Sequence, residues 1–96
     1  MKYLHTMVRV KDIEVSLDFY CLKLGLKEVR RVDNEKGRFT LIFLAANNSN
    51  EKTGLLELTY NWDPEEYTGG RNFGHLAYSV KNIYKVCDKL MKSGIT

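Results

Sequence analysis

Three side chains in this sequence have the chemistry to hold a divalent metal ion: His5, Glu57 and His75. Imidazole nitrogen and carboxylate oxygen together suit nickel, zinc, cobalt, manganese or iron, and three protein ligands leave positions open for a Lewis-acid site. Taken singly, a strand histidine is more often structural, and a strand glutamate is as readily half of an ion pair. Repetition is what links them. His5 and His75 stand 70 positions apart (75 − 5), and at that same offset Val10-Lys11-Asp12-Ile13 answers to Val80-Lys81-Asn82-Ile83 and Asp18 to Asp88. This is the pattern of an internal duplication whose copies each open with a histidine.

The elements that must carry these residues follow from periodicity. From Met1 to Val10 the residues alternate, with Leu4, Thr6, Val8 and Val10 on one side and Tyr3, His5, Met7 and Arg9 on the other, which predicts a strand with one functional face. Asp12 is placed to cap a helix, and Leu17, Tyr20, Cys21 and Leu24 recur along one helical face until Gly25 ends it. Alternation resumes from Leu26 to Val32. The turn residues Asp33 to Gly37 then join that run to the apolar stretch Phe39 to Ala46, so a hairpin is expected. In Leu55 to Trp62, Glu57, Thr59 and Asn61 share one face, while Leu56, Leu58, Tyr60 and Trp62 take the other. The first copy therefore reads strand, helix, three strands. After the loop through Gly69-Gly70, a strand from His75 leads to a helix whose apolar face is Ile83, Val86, Cys87, Leu90 and Met91, closed by Gly94. Only a strand and a helix of the second copy are present, so the sequence reads as cut off in mid-repeat. The counterpart of Glu57 would fall near position 127 (57 + 70), beyond Thr96.

Composition narrows the field. Ninety-six residues, 44% hydrophobic and 28% charged with one proline, suit one small globular domain rather than a disordered chain. No run approaches the roughly 20 apolar residues of a membrane span, and no leader pattern opens the sequence, so a cytoplasmic protein without a membrane partner is expected. The net charge of +3 comes from interleaved rather than massed basic residues, which argues against nucleic acid. Cys21 and Cys87 lie in helical patterns without a Cys-x-x-Cys spacing, and buried free thiols are expected.

Other candidates divide by context. Arg9 shares the face of His5, where its planar fork would match a substrate carboxylate. Gly69-Gly70 fits no phosphate-binding fingerprint, because no Lys-Ser/Thr pair follows. Arg30 and Arg31 lie on an alternating strand with side chains pointing opposite ways, which reads as a solvated edge.

The motifs Leu4-His5-Thr6-Met7-Val8-Arg9-Val10, Ser16-Leu17-Asp18-Phe19-Tyr20 with Leu24-Gly25, Glu57-Leu58-Thr59-Tyr60-Asn61-Trp62 and Phe73-Gly74-His75 run from end to end of the sequence. In this order they resemble glyoxalase I, the lactoylglutathione lyase family of the vicinal oxygen chelate superfamily. The resemblance implies an α+β fold of the glyoxalase/bleomycin resistance/dioxygenase type, built of paired βαβββ modules around a metal. Residues 1–96 would form a single domain incomplete at the C-terminus: one whole module over about 1–66 and the first βα of a second over about 72–96.

The resemblance also assigns roles. His5, Glu57 and His75 match three of the family's four metal ligands, and the fourth, a second-module glutamate, has no matching position among these residues. Nickel is favoured and zinc comes next. Arg9 and Asn61 match positions that hold glutathione, and Arg71 sits where some members place another carboxylate-binding arginine. The implied reaction, that of a carbon-sulfur lyase in methylglyoxal detoxification, isomerises the hemithioacetal of methylglyoxal and glutathione to S-lactoylglutathione. A carboxylate beside the metal, Glu57, can serve as base or as ligand. A homodimer is implied as well. Two other functions suit the same residues: another metal-dependent enzyme of the superfamily, such as an extradiol dioxygenase, and a non-catalytic metal- or ligand-binding module.

Overall fold

The computed structural model describes residues 3–46, 52–70 and 80–96. Strand β1 (His5–Val10) is followed by α1 (Ile13–Leu17), which runs without a break into a π-helical turn over Asp18–Lys23. Strands β2 (Lys27–Asn34), β3 (Phe39–Ala45) and β4 (Leu55–Asn61) follow, and α2 (Ile83–Lys92) comes last. The expected order of strand, helix and three strands is present. The expected strand from His75, and His75 and Arg71 themselves, lie outside the described residues.

The strands form one mixed sheet in the order β1-β4-β3-β2, with β1 parallel to β4 and the other neighbours antiparallel. Parallel pairing of β1 with β4 requires a long connection. The helical segment and the β2–β3 hairpin supply it, carrying the chain to the far edge of the sheet and back. On the helix side, Val10, Leu26, Ile42, Leu44, Leu56 and Leu58 make the larger core cluster, against which Ile13, Leu17, Tyr20, Cys21 and Leu24 pack. Ile42, Leu44 and Leu58 are fully buried. These are alternate residues of the two inner strands, so the period-2 pattern of the sequence translates directly into this layer.

The first helix departs from its reading as one continuous α-helix. Asp12 caps it as expected, its carboxylate accepting from the Val15 amide at 3.0 Å. Beyond Leu17 the ladder widens: the Leu24 amide donates to the Phe19 carbonyl, five residues back, at 2.8 Å. Gly25, at φ +95, turns the chain in the left-handed region, and the Leu26 amide reaches the Tyr20 carbonyl at 2.8 Å.

The second helix starts in the same way. Asn82 accepts from the Lys85 amide at 3.1 Å, in an extended conformation (φ −140, ψ 100) close to that of Asp12 (φ −141, ψ 114). The 70-residue repeat thus has a structural counterpart in its caps. No residue of α2 is buried, and Ile83, Tyr84 and Met91 are exposed, because no layer covering this apolar face is found among the described residues. That corrects the expectation for the cysteines. Both are free thiols, but Cys87 is exposed on α2 and Cys21 is only half-buried. Burial, followed by the charge of Glu28, pushes the Cys21 thiol above its ordinary value, with Arg31 opposing.

A polar clasp closes one end of the sheet. Arg38, at φ 56 in the β2–β3 turn, donates to Asp63 through two nitrogens at 2.9 and 3.2 Å, and its carbonyl accepts the Trp62 amide at 2.9 Å. The Trp62 indole N–H donates to the Thr40 hydroxyl at 2.9 Å, which itself donates to Asp33 at 2.7 Å. The hydrogen bonds from Arg38, and then its charge, hold the Asp63 carboxyl below the ordinary 3.8. A depressed carboxyl favours the folded state above its unfolded value, and the benefit is lost as pH falls through the native one. Asp63→Asn should therefore lower the denaturant midpoint slightly near neutral pH, and the gap from the unsubstituted chain should close once the pH is well below 3.8. Parallel urea titrations at the two pH values measure this.

Candidate active site

The face of the sheet turned away from α1 carries the polar residues singled out from the sequence. On β1 these are His5, Met7 and Arg9, and on β4 Glu57, Thr59 and Asn61. Registry fixes their neighbours: Met7 stands opposite Glu57 and Arg9 opposite Thr59, while on the other side of β4 Phe43 stands opposite Glu57. His5 pairs with Leu55, so its imidazole reaches Glu57 on the diagonal, a distance that long side chains span in a sheet.

His5 Nε2 lies 3.8 Å from Glu57 Oε2, with the imidazole about one-third exposed and the carboxylate mostly buried. Metal–nitrogen and metal–oxygen bonds are each about 2.1 Å long, so one ion can touch two donors up to about 4.2 Å apart. The donor set and its spacing therefore fit a divalent cation, and a mostly buried carboxylate gains from such a charge. Among the described residues no third His, Cys, Asp or Glu joins the pair in a metal-sized group.

Two residues that sequence reasoning did not single out complete the geometry. Phe43 is buried at 3% exposure, and the His5 ring stands edge-on to it at 5.8 Å with 77° between the planes. That contact limits how the imidazole can turn. The signal was available, because alternation along Phe39 to Ala46 places Leu41, Phe43 and Ala45 on one face. Tyr67 is the second: its hydroxyl accepts a hydrogen bond from Asn61 Nδ2 at 3.3 Å, beside a cavity of about 120 Å³ lined by Lys11, Tyr60 and Pro64 among others. Nothing local in the sequence pairs a loop tyrosine with Asn61. A larger, open concavity lies against the helical segment, lined by Glu14, Asp18, Cys21 and Glu28, and contains none of these residues.

Arg30 and Arg31 point to opposite faces, as expected, but neither is merely solvated. A register shift between Glu28 and Arg30 bulges β2 at Val29. Arg31 consequently falls on the same side as Glu28 and makes a two-pronged ion pair with it at 2.8 and 3.2 Å. Arg30 turns to the site face, its guanidinium carbon 4.1 Å from the centre of the Phe43 ring.

Residues 2–96 match the model of the Glyoxalase/Bleomycin resistance protein/Dioxygenase superfamily. The chain belongs to this superfamily. Among its relatives is the lactoylglutathione lyase of Neisseria meningitidis, 46% identical over 98% of this chain and 67% of that protein. A probable lactoylglutathione lyase of Synechocystis is 44% identical over 98% of this chain and 71% of its own length. Of solved structures, glyoxalase I of Leishmania major superposes with a TM-score of 0.89 at 34% identity, covering 98% of this chain and 67% of that one. The glyoxalase/bleomycin resistance/dioxygenase fold and the kinship with glyoxalase I expected from the motifs both hold, and the enzyme class agrees, since these relatives are lyases.

Phe43 joins the two halves of this face, the smaller core cluster with Ala45 and Leu55 on one hand and the His5 ring on the other. Phe43→Ala should cost about 3–5 kcal/mol of stability, and Phe43→Leu clearly less, as read from chemical denaturation. Equal losses for the two variants would count against the packing role.

Proposed function

We propose that this chain carries the first module of a lactoylglutathione lyase, over about residues 1–66, and opens a second from about residue 72. The observation that carries the reading is the convergence of His5 Nε2 and Glu57 Oε2 at 3.8 Å on a sheet face that also presents Arg9 and Asn61. Kinship to lactoylglutathione lyases at 37–46% identity supports the same chemistry. His5, Glu57 and His75 are assigned to hold one divalent ion, nickel before zinc. Arg9 and Asn61, with Arg71, are assigned to the glutathione part of the substrate. The protein is read as a homodimer working in the cytoplasm. No helix among the described residues is long and apolar enough to cross a membrane.

A bound divalent ion would supply Lewis-acid polarisation of the two oxygens of the hemithioacetal. The remaining work falls to the chain. Arg9, next to Thr59 on the neighbouring strand, offers a forked donor pair to a carboxylate of glutathione. Asn61 has its amide nitrogen engaged by Tyr67, which leaves its carbonyl oxygen to accept from the peptide N–H or ammonium of the same ligand. So anchored, the substrate places its reacting carbons over Glu57. Glu57 takes the proton from the carbon bearing sulfur and returns it to the adjacent carbon, while the hydroxyl proton passes from the first carbon's oxygen to the second's, so the net change is an isomerisation with no redox partner. The buried Phe43 ring beside it keeps water from that side of the carboxylate.

Nickel titration by calorimetry tests the ligand assignment apart from turnover. Because loss of an outer-shell partner alone costs 10- to 100-fold in metal affinity, His5→Ala should weaken nickel binding at least about 100-fold. Glu57→Gln should do the same and abolish formation of S-lactoylglutathione from methylglyoxal and glutathione. Unchanged nickel affinity in both variants would sink the proposal.

A further inference from the structure

Four residues line up across the sheet on the site face in one register row: Met7 on β1, Glu57 on β4, Phe43 on β3 and Arg30 on β2. Arg30 reaches this row only because of the bulge at Val29. In unbroken alternation it would share the helix side with Glu28, the carboxylate that Arg31 now pairs with. Instead its guanidinium rests over the Phe43 ring and, among the described residues, pairs with no carboxylate. A guanidinium lying over a ring spends its face on the π-system and keeps the N–H groups at its edge for a ligand. Arg30 is exposed, so that edge is reachable.

The direction in which a substrate would lie follows from the same rows. Arg9 and Asn61, assigned to glutathione, stand beyond Glu57 toward the C-terminal ends of β1 and β4. The part of the hemithioacetal that comes from the aldehyde then starts at Glu57, and from Glu57 the register row leads across Phe43 to Arg30 on β2. The guanidinium carbon of Arg30 can be no more than 9.9 Å (4.1 + 5.8) from the His5 ring centre. Five bonded atoms, with four bonds of about 1.5 Å each, and one hydrogen bond of about 2.9 Å at the arginine end fit within that limit.

We infer that Arg30 is a specificity-determining residue, which binds an anionic end group on the 2-oxoaldehyde half of the substrate and so extends the enzyme's range from methylglyoxal to aldehydes carrying a carboxylate. The inference rests on the glutathione reading above. Phe43 provides the apolar floor under the intervening carbons and holds the guanidinium in place, and the carboxylate replaces water at its free edge.

Two isosteric glutathione thioethers separate this from a general attraction of anions. S-(2-carboxyethyl)glutathione ends in a carboxylate where S-(3-methylbutyl)glutathione ends in an isopropyl group of the same shape, and neither can react. Calorimetric titration of the nickel-loaded protein should show the carboxyethyl compound binding about five- to tenfold tighter, the size expected of a partly exposed, forked ion pair. In Arg30→Gln that ratio should fall to near one, and Arg30→Lys should restore part of it. A ratio near one in the unsubstituted protein, or one that survives Arg30→Gln, overturns the inference while leaving the glutathione reading intact. If neither thioether binds the unsubstituted protein, the glutathione reading fails and takes this inference with it.

Discussion

His5 and Glu57 are 52 positions apart in the chain (57 − 5), and only the parallel pairing of β1 with β4 makes them neighbours. That pairing has no slack. Side chains alternate with period 2, so a slip of one residue would turn His5, Met7 and Arg9 toward the helical layer and push Thr6, Val8 and Val10 out. The register is held from the opposite face, where Leu56 and Leu58 of β4 and Val10 of β1 are buried with Ile42 and Leu44. The candidate site is therefore positioned by a core that contributes no atom to it. The helical crossover and the β2–β3 hairpin can be understood the same way, as the length of chain needed for the sheet's edge strand to lie parallel to an inner one.

Much of this was legible in the residues themselves. Strict alternation in β1 and β4 separated the polar face from the apolar one, and the Asp12 and Asn82 caps fell where the repeat placed them. The polar face of β1 and β4 needed nothing beyond periodicity. What could not be read are features that break a period. The π-helical turn over Asp18–Lys23 leaves Leu17, Tyr20, Cys21 and Leu24 all on the core, so the apolar spacing gave no hint of the wider ladder. The bulge at Val29 is likewise silent, since lysine, glutamate and arginine tolerate either face of an edge strand, and only the backbone register shows which they take. Tyr67 reaches Asn61 from an irregular segment, where periodicity has no meaning.

The two helices also differ in how far their amphipathic faces are satisfied. In the first, apolar residues at helical spacing meet a sheet and become part of its core. In α2, an equally patterned face remains open, with Tyr84 at 85% exposure and Cys87 accessible. An amphipathic pattern specifies a face to be covered, not what covers it. The same reasoning from sequence was right about the helix and wrong about its cysteine.

The π-helical turn has a meaning that emerges only when the two caps are laid over one another. From Asp12 to the closing Gly25 is 13 positions (25 − 12), but from Asn82 to the closing Gly94 is 12 (94 − 82). The apolar positions keep the 70-residue offset as far as Cys21 and Met91, so the extra residue of the first copy lies between there and the glycine. A ladder that bonds five residues back takes one more residue into the same turn than one that bonds four back. The widened turn is thus how the first copy absorbs a single-residue length difference without shifting its cap, its closing glycine or the residues it sends into the core. Two helical segments of unequal length share the same start and the same closing bonds, and the mismatch is confined to one turn.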